Sequence, residues 1–226
     1  MKKKYYITTP IYYPSAKPHM GHAYSSISAD FIARYKRLEG YDVMFVTGTD
    51  EHGQKIQKSA DKRKLSPDIF CNEISKVFLD LTKTLNLSNT DFIRTTEIRH
   101  HKTVQKLWKI LEEKKFIYLS KYSGWYSVSD EAFYTESEII EKDNIKLSVA
   151  SGSAVEWVEE ESYFFKLSQF QNLLIKHYED NPEFIQPSSR RNEVMSFVKG
   201  GLNDLSISRN SFKWGISVPN SKDHII

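Results

Sequence analysis

The sequence predicts an α/β fold: the first half of a doubly wound parallel sheet, followed by an inserted module of mixed α+β character. Three observations predict it. Apolar, β-rich stretches at 5–9 and 43–46 flank a segment, 23–38, whose apolar residues step by three or four. The short connections between these elements imply parallel strands joined by a helical crossover. After Phe116 the texture changes to aromatic residues interleaved with Ser, Gly and acidic residues, the pattern of short strands and turns.

Taken in order, residues 5–9 read as a buried strand. Tyr24, Ile27, Phe31, Tyr35 and Leu38 then mark one helix face, and Gly40 lies just past it, as a C-cap glycine should. The second strand, 43–46, ends in the polar loop Thr47-Gly48-Thr49-Asp50-Glu51-His52-Gly53. Ser66-Pro67 signals a helix start, a cap residue followed by proline at the first helical position. Phe70, Ile74, Val77, Phe78, Leu81 and Leu85 give that helix its buried stripe. Residues 91–95 are a third strand. Val104, Leu107, Trp108 and Leu111 mark a helix ending near Lys114. This is the mononucleotide-binding half of a doubly wound sheet. Tyr118, Tyr122, Trp125, Tyr126, Phe133 and Tyr134 belong to the inserted module. Helical patterns return at 170–178 and 192–198, the latter closed by Gly200-Gly201, and 214–218 is a final strand candidate.

Composition narrows the function classes. The chain has 226 residues, 39% hydrophobic and 27% charged, enough for one large domain or two small ones with a real core. A net charge of +3 does not by itself argue for a nucleic-acid partner. The single cysteine, Cys71, excludes an internal disulfide and a cysteine zinc site, and its apolar neighbours make it a core residue. The expected compartment is the reducing cytoplasm. No stretch approaches the ~20 apolar residues of a membrane span, and no apolar signal segment follows the basic N-terminus.

The chemistry concentrates around His19-Met20-Gly21-His22, placed between the first strand and the first helix. A helix N-terminus offers unpaired N–H groups and the positive end of its dipole, so it attracts phosphate. Two histidines there can donate to phosphoryl oxygens, and Gly21 leaves room for a flat base. Pro10, Ile11, Tyr12 and Tyr13 form an apolar and aromatic wall after the first strand, with Tyr13 the best candidate for a pocket residue. Without other evidence, core packing is the better explanation of that wall. Asp50 lies at the C-terminal end of the second strand, the edge where open α/β sheets bind ligands. Its carboxylate suits an ammonium group, or it caps the helix beginning near Gln54.

The runs TTPIYYPSAKPHMGH, TGTDEHGQKIQKSA, VEWVEEESYFFKLS, RRNEVMSFVKGGLNDLSISR and WGISVP resemble, in order and over essentially the whole chain, the methionyl-tRNA synthetases. These are class I aminoacyl-tRNA synthetases. The His-Met-Gly-His run alone suggests only the wider superfamily, and the Gly-Thr-Asp-Glu-His-Gly run points to the methionine enzymes. The resemblance implies a Rossmann-type catalytic half over 1–114, and a connective-peptide insertion with the start of the return to the catalytic domain over 115–226. It implies ATP, with Mg2+, and methionine as substrates, and tRNA(Met) as partner. It implies that His19 and His22 contact ATP and stabilise charge at the α-phosphate. Gly21 would make room for adenine, Asp50 would hold the methionine ammonium, and Pro10, Ile11 and Tyr13 would line the methionine pocket. Arg209 would approach the active site where the chain re-enters it.

Two departures from the pattern carry expectations. Where relatives carry Cys-x-x-Cys pairs, this chain reads Ser127-Val128-Ser129-Asp130 and Ser148-Val149-Ala150-Ser151. Hydroxyls are poor zinc ligands, so no zinc is expected, and Trp125, Tyr126, Phe133 and Trp157 are available to pack the knuckle instead. The sequence ends at Ile226 without a Lys-Met-Ser-Lys-Ser-type loop, so the chain reads as an N-terminal portion, inactive alone. The rival readings are another His-x-Gly-His nucleotidylyltransferase, and a non-catalytic tRNA-binding or assembly piece of a split synthetase.

Overall fold

Why the strands lie parallel is visible in the computed structural model, which describes residues 2–130, 132–142 and 145–226; the side chain of Tyr122 lies outside the described set. The elements run β1 (Lys4–Thr8), α1 (Met20–Leu38), β2 (Asp42–Thr49), α2 (Gln54–Lys62), α3 (Pro67–Thr84), β3 (Asp91–Arg94) and α4 (Ile98–Glu113). Then follow β4 (Ile117–Ser127), β5 (Ala132–Tyr134), β6 (Ile139–Lys142), β7 (Ile145–Ser148), β8 (Glu156–Phe165), α5 (Gln171–Asp180), α6 (Ser188–Lys199) and β9 (Leu205–Ser206). The chain forms two compact units, one of residues 1–104, 126–156 and 214–216, the other of 105–125, 157–213 and 217–226.

The first unit holds a parallel sheet of order β1-β2-β3, with Tyr6 opposite Met44 and Gly48 opposite Ile93. Each link between strands is helical, as parallel pairing requires. α3 starts at Pro67 behind Ser66, and it buries Phe70, Cys71, Ile74, Ser75 and Phe78. With Tyr12, Ile56 and Ala60, most of these make one core cluster. Ala29, Ala33, Val43 and Phe45 make a second. An antiparallel pair, β6 and β7, completes the ordered strands of the knuckle region.

Two expectations about this unit are corrected. α1 begins at Met20, close to the expected start near His22, but its large apolar stripe faces away from the sheet. Tyr24, Phe31 and Leu38 are 75%, 71% and 88% exposed, whereas Ser26, Ala29, Asp30 and Ala33 are buried. Small residues let the helix lie close on β2. The two polar ones are satisfied: Ser26 Oγ pairs with the Tyr12 hydroxyl at 2.7 Å, and Asp30 accepts from Ser88 and Arg34. β1 is likewise not a buried strand. Among the described residues it lies at the edge of the sheet, and its Tyr6 is 64% exposed.

The second unit is built on neighbouring strands β4, β8 and β9, with Phe164 opposite Ser206 in an antiparallel pair. Its core holds Trp108, Ile117 and Val218, with Tyr163 and Ile207 against them. β4 and β8 are long rather than short strands. Residues 214–218 form no strand; only the isolated bridge Ser217–Ile225 occurs there.

Candidate active site

The loop after β1 stays in register with the end of β2, and this assembles the site. The Thr9 N–H donates to the Val46 carbonyl at 3.2 Å, the Tyr12 N–H to the Gly48 carbonyl at 2.9 Å, and the Asp50 N–H to the Tyr12 carbonyl at 2.9 Å. Pro10–Tyr13 therefore lie beside Asp50 at the carboxyl ends of the parallel strands, where open α/β sheets take ligands. The wall divides by depth. Pro10 and Ile11 are exposed and Tyr13 is half-buried, its hydroxyl donating to the His52 carbonyl at 2.9 Å. Tyr12 is core: its ring stacks on Phe78 and meets the His22 ring edge-on, and its hydroxyl donates to the His22 carbonyl.

His19 is the N-cap of α1. Its Nδ1 accepts from the Gly21 N–H at 3.1 Å, while its own N–H donates to His22 Nδ1 at 3.0 Å. Both Nδ1 atoms are acceptors, so in the neutral imidazoles both Nε2 atoms carry the proton. The ring centroids are 3.9 Å apart. Two Nε2–H donors thus sit side by side at the positive end of a helix, a built arrangement for phosphoryl oxygens. Burial, and then the neighbouring His19, hold the His22 pKa below its ordinary value, favouring the neutral donor. A Cβ on Gly21 would lie 2.9 Å from Cε1 of His19, so glycine is also what lets the His19 ring fold back on the helix.

Asp50 does not cap α2. That N-cap is Gly53, at φ 100°, a left-handed conformation suited to glycine. Asp50 is half-buried in the turn before it. The next residue, Glu51, is fully buried and uses each of its polar groups. Its Oε1 accepts from Arg94 Nε at 2.7 Å, Thr49 Oγ1 at 2.6 Å and the Ser75 hydroxyl. Its Oε2 accepts from Arg94 Nη2 at 2.9 Å and Thr96 Oγ1 at 2.5 Å. Its N–H donates to Thr95 Oγ1 at 2.8 Å, and its carbonyl accepts from Trp214 Nε1 at 2.5 Å. Burial by itself would raise the Glu51 pKa; the donors from Arg94, Ser75, Thr49 and Thr96 bring it below the ordinary value. Burial, and then His101, push the His52 pKa down to about 4, so His52 is neutral at pH 7. A cavity of about 410 Å³ beside the turn is lined by His52, Asp68, Arg94, Thr96, His101 and Trp214 among others.

Arg209 lies in the second unit, where its Nη1 donates to Ser206 Oγ at 2.8 Å and its guanidinium faces Glu160. In the knuckle, Asp130 accepts from Tyr134 at 2.8 Å, Ser151 at 2.5 Å and Ser153 at 3.0 Å. One carboxylate already saturated by hydroxyls does not suit zinc, which takes thiolate and imidazole. The rings Tyr126 and Phe133 pair at 4.7 Å in the first unit, and Trp125 and Trp157 pair with each other at 5.2 Å in the second.

The residues that sequence reasoning passed over are Glu51, Arg94, Thr96 and Trp214. One signal was available: Glu51 follows β2 and Arg94 ends β3, two opposite charges at the same edge of adjacent parallel strands.

Comparison with known proteins finds matches along the whole chain. The family model described as tRNA synthetases class I (M) matches residues 5–145 and 142–226. The methionine–tRNA ligase of Rickettsia prowazekii (strain Madrid E) is 56% identical over 226 residues, covering 100% of this chain and 44% of that protein. The methionine–tRNA ligase of Listeria monocytogenes serovar 1/2a is 51% identical, over 100% of this chain and 35% of that protein. The solved Mycobacterium tuberculosis methionyl-tRNA synthetase in complex with methionyl-adenylate superposes with a TM-score of 0.96 at 51% identity, covering 99% of this chain and 44% of that one. The chain thus spans less than half the length of these relatives.

Proposed function

The chain belongs to the class I tRNA synthetases (M), and on that premise we propose that it carries the His19/His22 side of the site in which a methionine–tRNA ligase activates methionine with ATP and passes it to tRNA(Met). The observation that carries this reading is the pair of Nε2–H donors at the start of α1, beside the Pro10–Tyr13 wall and Asp50.

In the reaction, a methionine carboxylate oxygen attacks the α-phosphorus of ATP. The bond from that phosphorus to the pyrophosphate oxygen breaks, and pyrophosphate leaves. No protein nucleophile and no obligatory proton transfer is needed, so alignment and charge stabilisation do the catalysis. His19 and His22 donate Nε2–H to phosphoryl oxygens as charge develops there. Gly21, exposed at the start of α1, makes room for adenine. Asp50 holds the methionine ammonium, and Pro10, Ile11 and Tyr13 line its side chain. We read residues 1–114 as the first half of the Rossmann-type domain and 115–226 as the connective insertion with the start of the return. The knuckle is read as metal-free, held by Asp130, and the compartment as cytoplasmic. Mg2+ would accompany ATP.

Pyrophosphate exchange by the whole natural protein tests the proposal. Exchange that requires methionine and ATP is the expected result. Exchange driven by another amino acid, or by a substrate that is not an amino acid, overturns it.

A further inference from the structure

Glu51 and Arg94 form an ion pair where none is needed for a turn. Glu51 is fully buried, and Arg94 meets it with two parallel N–H···O bonds. Burying such a pair costs desolvation that apolar side chains of the same volume would avoid. What the pair does deliver is geometric definition, because a guanidinium fork fits a carboxylate in one plane only. That definition is extended along the backbone. Trp214 Nε1 donates to the Glu51 carbonyl, and the Trp214 carbonyl accepts from the Gly53 N–H at 3.4 Å. On the other side, the Asp50 N–H is held by the Tyr12 carbonyl. The turn from Asp50 to Gly53 is therefore pinned from the loop after β1, from β3, from α3 and from a residue far along the chain.

We propose that Glu51, Arg94 and Trp214 are positioning residues that hold the Asp50 carboxylate at the angle and depth required for a substrate ammonium. This rests on the reading of Asp50 given above. None of the three touches the substrate. They act by removing the turn's freedom, so that the ammonium meets a fixed carboxylate. A misplacement of about 1 Å in such a site costs on the order of 100-fold.

The test uses the whole protein and methionine-dependent pyrophosphate exchange, with KM for methionine, KM for ATP, kcat and the melting temperature read for each variant. Trp214→Phe keeps an aromatic ring but removes the Nε1–H donor together with part of the indole's volume. Arg94→Lys keeps the charge and removes the fork. Glu51→Gln keeps the shape and removes the charge, but it strands Arg94 and risks misfolding, so the first two variants decide. The expected result is a rise of roughly 10- to 100-fold in the methionine KM, with ATP KM and melting temperature near those of the parent. Arg94→Ala should be worse than Arg94→Lys. An unchanged methionine KM in folded Trp214→Phe and Arg94→Lys overturns the proposal. So does an equal loss for both substrates together with a lowered melting temperature. Asp50→Asn, run alongside, separates the two ideas. If it raises the methionine KM and the three positioning variants do not, this inference fails and the reading of Asp50 stands. If it changes nothing, that reading fails and takes this inference with it.

Discussion

His19 and His22 close the first turn of α1 on each other: the His19 N–H donates to His22 Nδ1, and the His19 ring turns back to accept from Gly21. One pair of side chains thus caps a helix and leaves two Nε2–H donors directed away from the cap. The capping and the phosphoryl roles can be separated. Asparagine is among the best N-caps, whereas alanine costs about 0.5–2 kcal/mol there. His19→Asn should keep stability close to the parent, and His19→Ala should lose about 1 kcal/mol. Both should lose about 100- to 1,000-fold in pyrophosphate exchange, the usual cost of one transition-state donor. Urea unfolding and exchange assays measure the two effects. Full exchange by His19→Asn would leave His19 as a cap only.

Asp50→Ala should raise the methionine requirement and leave ATP binding near normal. Truncating one partner of a buried charged hydrogen bond costs roughly 2–5 kcal/mol, about 30- to 5,000-fold in affinity. Exchange measured over a range of methionine concentrations reads this directly. An unchanged apparent affinity would remove Asp50 from the site.

Stability should fall as the pH drops from 7 to 5, in part through His52. Its folded pKa is about 4 against an ordinary 6.5. The unfolded chain therefore takes the proton first as pH falls. The contribution is complete above about 6.5 and is lost as pH approaches about 4, with about 2 kcal/mol going between pH 7 and pH 5. His22 and His101 are lowered in the same direction and add to the slope. Glu51 titrates below this window, since its pKa lies below the ordinary 4.5. Denaturant titrations of parent and His52→Gln at both pH values check the sign. A variant with an undiminished slope would show that His52 is not the group responsible.

Asp130 should be the knuckle's organising residue in place of a metal. Asp130→Asn weakens its bonds to Tyr134, Ser151 and Ser153, so residues near 127–153 should gain in amide exchange rate while α3 stays protected. Elemental analysis after dialysis against a chelator should find no stoichiometric zinc. Retained zinc, one per chain, would mean that other ligands have replaced the cysteines.

Period was legible in the sequence, but phase was not. In α1 both the large residues Tyr24, Ile27, Phe31 and Tyr35 and the small residues Ser26, Ala29, Asp30 and Ala33 recur at helical spacing. Hydrophobicity selects the first set. The close approach of helix and sheet selects the second, with Ser26 and Asp30 satisfied by partners that are distant in sequence. The strand–loop–helix placement of His19–His22 was legible because its signals are local: an apolar run, Pro14 and Pro18, then a helical period.

By itself, then, the sequence determined the order of strands and helices in the first sheet, their parallel sense, the helix start at Pro67 and the place of the two histidines. Each follows from spacing and from residues that limit their own backbone. Only the tertiary structure decided which face of α1 is buried, that Gly53 rather than Asp50 caps α2, and that Glu51 is tied to Arg94 and Trp214. The physical reason is range. Caps and periods are set within a turn or two of chain, whereas a buried residue can be satisfied by any donor the fold brings to it: here the Glu51 carboxylate by Arg94, 43 positions away, and the Glu51 carbonyl by Trp214, 163 positions away.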